Sequence, residues 1–252
     1  MSEPERRADA SAAEVVSQRE ALLAFLAEQR VFRGLEPDGL QALAAAARSV
    51  QRDPGEFLLR QGEPAAEFFV LRSGRLRLSQ ISAEGHQVVI RFVGPGDGVG
   101  IIAVLGGIPY PLSAEAVEPV EALSWSGEGY AELMERHPVL ALEALGLIAG
   151  RFKGAMDQLR ELSTQRVERR VAHALLRLAG QMGRRLADGS IELDLPLSQQ
   201  DLAEMTGTTV FTVSRTLSSW ESRGLVQTGR KRVVLRQPHD LVAIAEDLPD
   251  GA

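Results

Sequence analysis

Between residues 50 and 126 the apolar residues fall into short runs of strand-like period, such as Glu56-Phe57-Leu58-Leu59, Phe68-Phe69-Val70-Leu71, Arg75-Leu76-Arg77-Leu78 and Val88-Val89-Ile90-Arg91. Each run stops at a glycine or proline turn: Pro54-Gly55, Gly62, Gly74, Gly85 and Pro95-Gly96. Successive side chains of a strand point to opposite faces, so strands this short and this regularly interrupted must pair antiparallel and close on a shared core. The spacing predicts an antiparallel barrel or sandwich, and a jelly roll fits it best.

The flanks change period. Residues 20–48 are rich in Ala and Leu, with Leu22, Leu23, Phe25, Leu26, Leu40 and Leu43 at helical spacing, and the segment 34–37 divides them into two helices. After Gly127 the helical period returns, and Pro138 opens a helix expected to run to about Thr164. Along it Leu145, Phe152 and Leu159 lie seven apart, while Ile148, Ala155 and Leu162 form a second register three residues later. That is an a/d seam, and such a seam wants a second helix. A surface helix also needs an apolar stripe, so the alternative is that this face packs on the chain's own barrel. Residues 165–182 read as a further helix and 186–195 as a short strand or hairpin.

The segment 197–226 carries the sharpest local signal. Ser198, followed three residues later by Asp201, is a capping-box pattern with Asp in place of Glu or Gln, and it opens a short helix whose buried side is Leu202 and Met205. Gly207 supplies a tight turn. Thr208 or Thr209 caps a second helix, on which Val213, Leu217 and Trp220 lie at i, i+4 and i+7 and face the interior. Phe211, Ser214, Arg215 and Ser218 then face outward. An outward Arg near a helix start, flanked by small hydroxyl residues, can enter a major groove and hold guanine O6 and N7 with two bonds. After Gly224, the strand Leu225-Val226-Gln227, a turn at Gly229 with Arg230, Lys231 and Arg232, and the strand Val233-Val234-Leu235 make a wing. Its basic tip suits the phosphate backbone. Paired short helices also occur in plain helical cores; the wing and the local charge argue against that reading.

Charge placement agrees. The formal net charge is -6, yet residues 165–236 hold twelve Arg and Lys against seven Asp and Glu. One part is therefore basic while the rest is acidic, as expected of a chain in which one domain touches phosphates. The sequence has no cysteine, which excludes disulfides, thiolate metal sites, cysteine nucleophiles and Cys-ligated iron–sulfur clusters. No apolar stretch is long enough to cross a bilayer, and the polar start has no signal-peptide core, so the expectation is a cytoplasmic protein without membrane contact.

Taken in order, Pro54-Gly55-Glu56, Gln61-Gly62-Glu63, Gly74, Gly85, Gly96-Asp97, Arg170-Val171-Ala172 and Thr212-Val213-Ser214-Arg215 resemble the family of the cyclic AMP receptor protein and FNR. The resemblance covers about 32–241. It implies an α+β protein: an N-terminal double-stranded β-helix (jelly-roll) sensor domain, a long dimerisation helix and a C-terminal winged helix-turn-helix domain. The implied divisions are a flexible tail at 1–18, a cyclic-nucleotide-binding-like barrel at 19–134, the dimerisation helix at 135–164, the DNA-binding domain at 165–239 and a C-terminal tail at 240–252. It also implies a homodimer on an inverted repeat of double-stranded DNA, with RNA polymerase as a partner. Ser214 and Arg215 would read bases, Ser198, Gln199, Gln200 and Thr212 would lie near phosphates, and Thr209, Val210, Ser218, Arg230 and Lys231 complete the contact set. Phe211 stands where many relatives carry Glu. A ring can meet a thymine methyl but offers no acceptor to cytosine; packing under the wing is its alternative place.

The sensor departs from the family pattern. In cyclic AMP binders a cassette after the Gly-Asp turn supplies a Glu to the ribose and an Arg to the phosphate, whereas here Ile101 and Leu112 occupy those places. Ala155 and Met156 stand where hydroxyls would meet adenine. A phosphodiester buried without its guanidinium would cost several kcal/mol, so cyclic AMP held in the usual way is not expected. What remains is an apolar effector pocket at Gly98, Gly100, Ile101, Ile102, Leu112, Ser113, Ala155 and Met156. Its occupant is unidentified; the alternatives are a haem, as in gas-sensing relatives, or a ligand-free packed core in a constitutive regulator. A haem ligand would have to be His86, His137, His173 or His239, each of which reads as a surface or capping histidine. A cupin-like metal enzyme would need two or three His on neighbouring strands, and the barrel offers His86 alone. The expectation is therefore a regulator rather than an enzyme, without a metal site.

Overall fold

The computed structural model describes residues 3–85, 87–193, 195–229 and 232–248, with side chains from 16 onward. The chain begins with α1 (Glu3–Glu28), a helical turn (Arg30–Phe32) and α2 (Pro37–Ala46). The strands β1 (Arg48–Arg52), β2 (Phe57–Leu59), β3 (Glu67–Ser73), β4 (Leu76–Ile81), β5 (Gln87–Val93) and β6 (Gly98–Val99) follow, then the short helix α3 (Ile101–Gly106), β7 (Ser113–Ala116) and β8 (Val120–Ser126). They form two four-stranded sheets, in the orders β1-β8-β3-β6 and β2-β7-β4-β5, with antiparallel pairing throughout.

The alternation read from the sequence decides which residues fill which layer. In β3, Phe69 and Leu71 point between the sheets to join Leu58, Leu76, Leu78, Val93, Ala114 and Ala122. Phe68 and Val70 point the other way and meet Leu26, Phe32, Leu43, Trp125, Tyr130 and Leu140. Both faces of this strand are covered, so its apolar run is continuous. Phe68 stacks on Trp125 at 5.2 Å and meets Tyr130 edge-on at 4.5 Å. The Trp125 indole donates to the carbonyl of Leu43 at 2.9 Å, which ties α2 to the barrel.

Beyond the barrel come α4 (Gly127–Arg136), α5 (Val139–Thr164), α6 (Val167–Met182), β9 (Gly183–Arg185), β10 (Ile191–Leu193), α7 (Gln199–Thr206), α8 (Val210–Ser222), β11 (Val226–Gly229), β12 (Arg232–Leu235) and α9 (Pro238–Glu246). The last four strands form one sheet, β11-β12-β10-β9, beside the core of α6, α7 and α8. Among the described residues no helix is long and apolar enough to cross a membrane.

Two boundaries differ from the sequence reading. The segment 1–18, read there as a flexible tail, is helical from Glu3 on as part of α1. Its Ala, Glu and Arg are strong helix formers, and the polar composition concealed that propensity. At the other end, the segment read as a tail from 240 includes most of α9, whose Leu241 and Ala245 are buried. Pro238 at the first turn opens that helix, and apolar residues four apart hold it down on α6; the Arg169 guanidinium donates to the Ala245 carbonyl at 2.9 Å.

Candidate nucleic-acid interface and effector cavity

The capping box at α7 is present in full. The Ser198 hydroxyl accepts from the Asp201 amide at 3.0 Å, and the Asp201 carboxylate accepts from the Ser198 amide at 2.9 Å. Gly207 closes α7 with φ 58°, a backbone conformation that costs a residue with a Cβ, and Thr209 caps α8 by accepting from the Thr212 amide at 3.2 Å. Arg170 of α6 clamps this turn. Its guanidinium donates to the carbonyls of Thr206 at 2.9 Å, Gly207 at 3.1 Å and Gln165 at 3.0 Å. That gives the Arg170-Val171-Ala172 motif a physical role that sequence reading missed.

Along α8, Val213, Leu217 and Trp220 are buried, and the Trp220 indole donates to Glu168 at 3.0 Å. The opposite face is open. Arg215 and Ser218 are exposed, Thr212 and Ser214 are half-buried, and Val210 is at the rim. Phe211 is 74% exposed, so it does not pack under the wing. Ser198, Gln199 and Gln200 at the start of α7 and Thr209 at the start of α8 are exposed as well. The wing is pinned to the end of α8 by Glu221, which accepts from the Thr228 amide at 2.6 Å and hydroxyl at 2.8 Å. Arg230 and Lys231, expected at its tip, lie outside the described residues.

The second feature is a cavity of about 390 Å³ where the barrel, α5 and the C-terminal domain meet. Of the expected lining, Gly98, Gly100, Ile101, Ile102, Leu112 and Ala155 are on its wall. Ser113 and Met156 are not. Ser113 opens β7, and its hydroxyl accepts from the Gln61 amide at 3.0 Å instead of lining the cavity. Met156 is rotated about 100° from Ala155 around the helix and joins an exposed stripe on the far side of α5.

The wall is also less apolar than expected. Arg91, Arg151, Gln158, Arg177 and Gln181 line it alongside Leu59, Leu147, Leu178 and Met205. Arg177 is matched by Glu161, which accepts from it at 2.8 and 2.7 Å. Arg151 donates to Asp97 at 3.0 Å, and Arg91 stands 4.0 Å from the same carboxylate oxygen. Burial, and then the neighbouring Arg151 charge, pull the Arg91 pKa down to about 10. Arg91 lies opposite Leu78 in the sheet, and directly opposed residues share a face, so it points inward. Period two counted from Val89 would not have placed it there, because the register shift between Leu78 and Ser79 turns Val89 to the opposite face, into the core of the C-terminal domain.

One helix serves two surfaces. Leu147, Arg151, Gly154 and Gln158 face the cavity, while Leu142, Leu145, Phe152, Met156 and Leu159 stand exposed on the other side. Of the remaining expected seam positions, Leu162 and Ala155 are exposed and Ile148 is half-buried. Among the described histidines, His137, His173 and His239 lie off the cavity wall, and His86 is outside the described residues. No group of His, Asp or Glu with the makings of a metal site occurs among the described residues.

Comparison with known proteins agrees with this architecture. The family described as Cyclic nucleotide-binding domain matches residues 49–137, and the one described as Crp-like helix-turn-helix domain matches 169–244. The Cyclic AMP receptor protein of Thermus thermophilus is 30% identical over 215 residues, covering 85% of this chain and 96% of that protein. The CRP-like cAMP-activated global transcriptional regulator of Mycobacterium tuberculosis is 25% identical over 211 residues, covering 84% of this chain and 94% of its own. In fold, the chain is similar to FixK2 from Bradyrhizobium japonicum with a TM-score of 0.70, at 24% identity and covering 82% of this chain and 98% of that one. The chain therefore belongs to the family of the cyclic AMP receptor protein and FNR, transcription regulators that join an effector-binding domain to a helix-turn-helix, and not to an enzyme family.

Proposed function

We propose that this chain is a cytoplasmic homodimeric regulator that reads an inverted repeat with α8 and is controlled by a small effector held in the barrel cavity. The carrying observation is the division of α8 into a sealed face of Val213, Leu217 and Trp220 and an open face of Phe211, Ser214, Arg215 and Ser218. A helix so divided, with its cap residues and a wing alongside, fits a major groove edge-on. Arg215 would hold a guanine, Phe211 would meet a thymine methyl, and Ser198, Gln199, Gln200, Thr209 and Thr212 would meet phosphates. The exposed apolar stripe of α5 supports pairing with a second copy, and pairing would duplicate the reading helix about a twofold axis. RNA polymerase is the expected protein partner.

A cavity of about 390 Å³ is in the range that takes a small ligand, which favours an effector over a packed, ligand-free core. With Ile101 and Leu112 on the wall, the cyclic AMP contacts of the family do not fit, and no described histidine is placed to ligate a haem there.

Selection of bound DNA from a random pool tests the reading. The expected product is an inverted repeat whose half-sites are about one helical turn, roughly 10 bp, apart. Arg215→Ala should then cost about 1–3 kcal/mol and relax preference at one base pair per half-site. No enrichment, or a single unrepeated half-site, would remove the dimeric reader.

A further inference from the structure

The cavity is chemically lopsided. Its apolar wall runs from Leu59 and Leu147 to Leu178 and Met205, and Arg91 and Arg151 stand together on the polar remainder, which also holds Gln158, Gln181 and the paired Arg177. The Arg91 and Arg151 guanidiniums share one carboxylate, Asp97, whose other oxygen already accepts from the Gly94 amide at 3.1 Å. Among the described residues the Arg91 guanidinium makes no hydrogen bond, and its nearest carboxylate oxygen is 4.0 Å away. The other charges on or beside the wall balance, since Glu161 matches Arg177 with two bonds. One positive charge is thus left unmatched in a largely desolvated place, which is costly unless something anionic completes it. Gly150 and Gly154 on α5 point at the same space with nothing within 4 Å of where a Cβ would be. Mid-helix glycines weaken a helix, and here they keep room beside the arginines.

We propose that the ligand of this cavity is an amphipathic organic anion, its acidic oxygens held by Arg91 of β5 and Arg151 of α5 and its apolar body laid against Leu147, Leu178 and Met205. The inference rests on the reading of the cavity as the effector site. Guanidinium forks suit carboxylate, sulfonate and phosphate oxygens alike. Because Leu178 and Met205 belong to the DNA-binding domain, such a ligand would touch the barrel, α5 and that domain together.

The test uses two fluorescent probes with the same body, 8-anilinonaphthalene-1-sulfonate and the uncharged N-phenyl-1-naphthylamine, titrated into the full chain. The sulfonate should bind at least about tenfold more tightly, and Arg91→Gln and Arg151→Gln should each erase about that factor while leaving the neutral probe unchanged. Arg91→Lys should restore part of the preference. Gly154→Phe, which fills the cavity, should abolish binding of both probes. Equal affinities for the two probes in the unmodified chain, arginine variants that weaken both probes alike, or no binding of either would overturn the proposal. If both probes are lost in Gly154→Phe but show no charge preference, the effector cavity stands and only the anion falls. If both still bind Gly154→Phe, the cavity reading itself falls, and the proposal with it.

Discussion

Arg77 of the barrel strand β4 meets Asp201 of α7 at 3.2 Å, so a sensor-domain cation sits on the carboxylate that also caps the first helix of the DNA-reading motif. The other guanidinium nitrogen donates to Glu115 at 2.6 Å. One turn along α7, Glu204 accepts from the Val89 amide of β5 at 3.0 Å. Asp201 is only 4% exposed. Burial works against the Arg77 charge, but the hydrogen bonds and charges of Glu115 and Asp201 outweigh it and raise its pKa. Through these contacts α7 lies against the edge of the barrel, and the reading helix is held in a fixed relation to the sensor.

Replacing Arg77 with Met should therefore loosen the two domains. It removes a charge-assisted bond worth about 1.5–3 kcal/mol and leaves Asp201 buried with only the Ser198 cap. Amide exchange along α7 should accelerate by about tenfold or more if that much stabilisation is lost locally. Unchanged protection of α7 would show that the ion pair does not hold the domains together.

The exposed side of α5 gives a second expectation. Phe152 is 65% exposed within a stripe that includes Leu145 and Leu159. An apolar row of that extent on a single helix wants a partner, and a buried glutamate would oppose it by several kcal/mol. Phe152→Glu should sediment as a monomer while the unmodified chain sediments as a dimer. A dimer that survives the substitution would place the contact elsewhere.

Much of this was legible in the sequence because the features obey local rules. The capping box at Ser198, the turn at Gly207, the buried triplet Val213, Leu217 and Trp220, and the extent of α5 each follow from periodicity or cap chemistry over a few residues. The arginines of the cavity were harder to see. Arg91 is set inward by its pairing with Leu78, next to the register shift between Leu78 and Ser79, and Arg151 reaches Asp97 across 54 positions of sequence. Neither a bulge nor a long-range ion pair is written in local spacing. Met156 failed for a related reason: a position inferred from family resemblance does not fix the rotation of a helix to within one residue.

The wing sheet should respond to acid. Glu192 is held below the ordinary carboxylate range, first by the hydrogen bond from Arg232 and then by that from Arg184. Asp188 is lowered as well, chiefly by Ser190. A carboxylate depressed in the folded state contributes stability above its unfolded pKa, about 4 for such groups, and loses it as pH falls through the lower folded value. The order of β9, β10 and β12 should thus be flat with pH near neutrality and decline below about pH 4. Glu192→Gln should flatten the decline, read from amide chemical shifts of 191–193 and 232–235. An identical acid profile in that variant would assign the effect to other groups.

Cyclic AMP provides the sharpest check on the sensor. On the cavity wall Ile101, only 2% exposed, and Leu112 offer no partner to a ribose hydroxyl or a phosphate. Were the phosphate to turn instead toward Arg91 and Arg151, the sugar and base would lie against Leu147, Leu178 and Met205, and every hydroxyl or ring nitrogen out of reach of Gln158 and Gln181 would be left unpaired. Each such group costs about 1–3 kcal/mol. A ligand present at a thousand times its dissociation constant stabilises the native state by about 4 kcal/mol, which a melting curve detects easily. Neither cyclic AMP nor cyclic GMP at millimolar concentration should move the melting temperature. A clear rise with either would mean that this chain pairs those polar edges from residues outside the family cassette, and the apolar body inferred for its ligand would have to be abandoned.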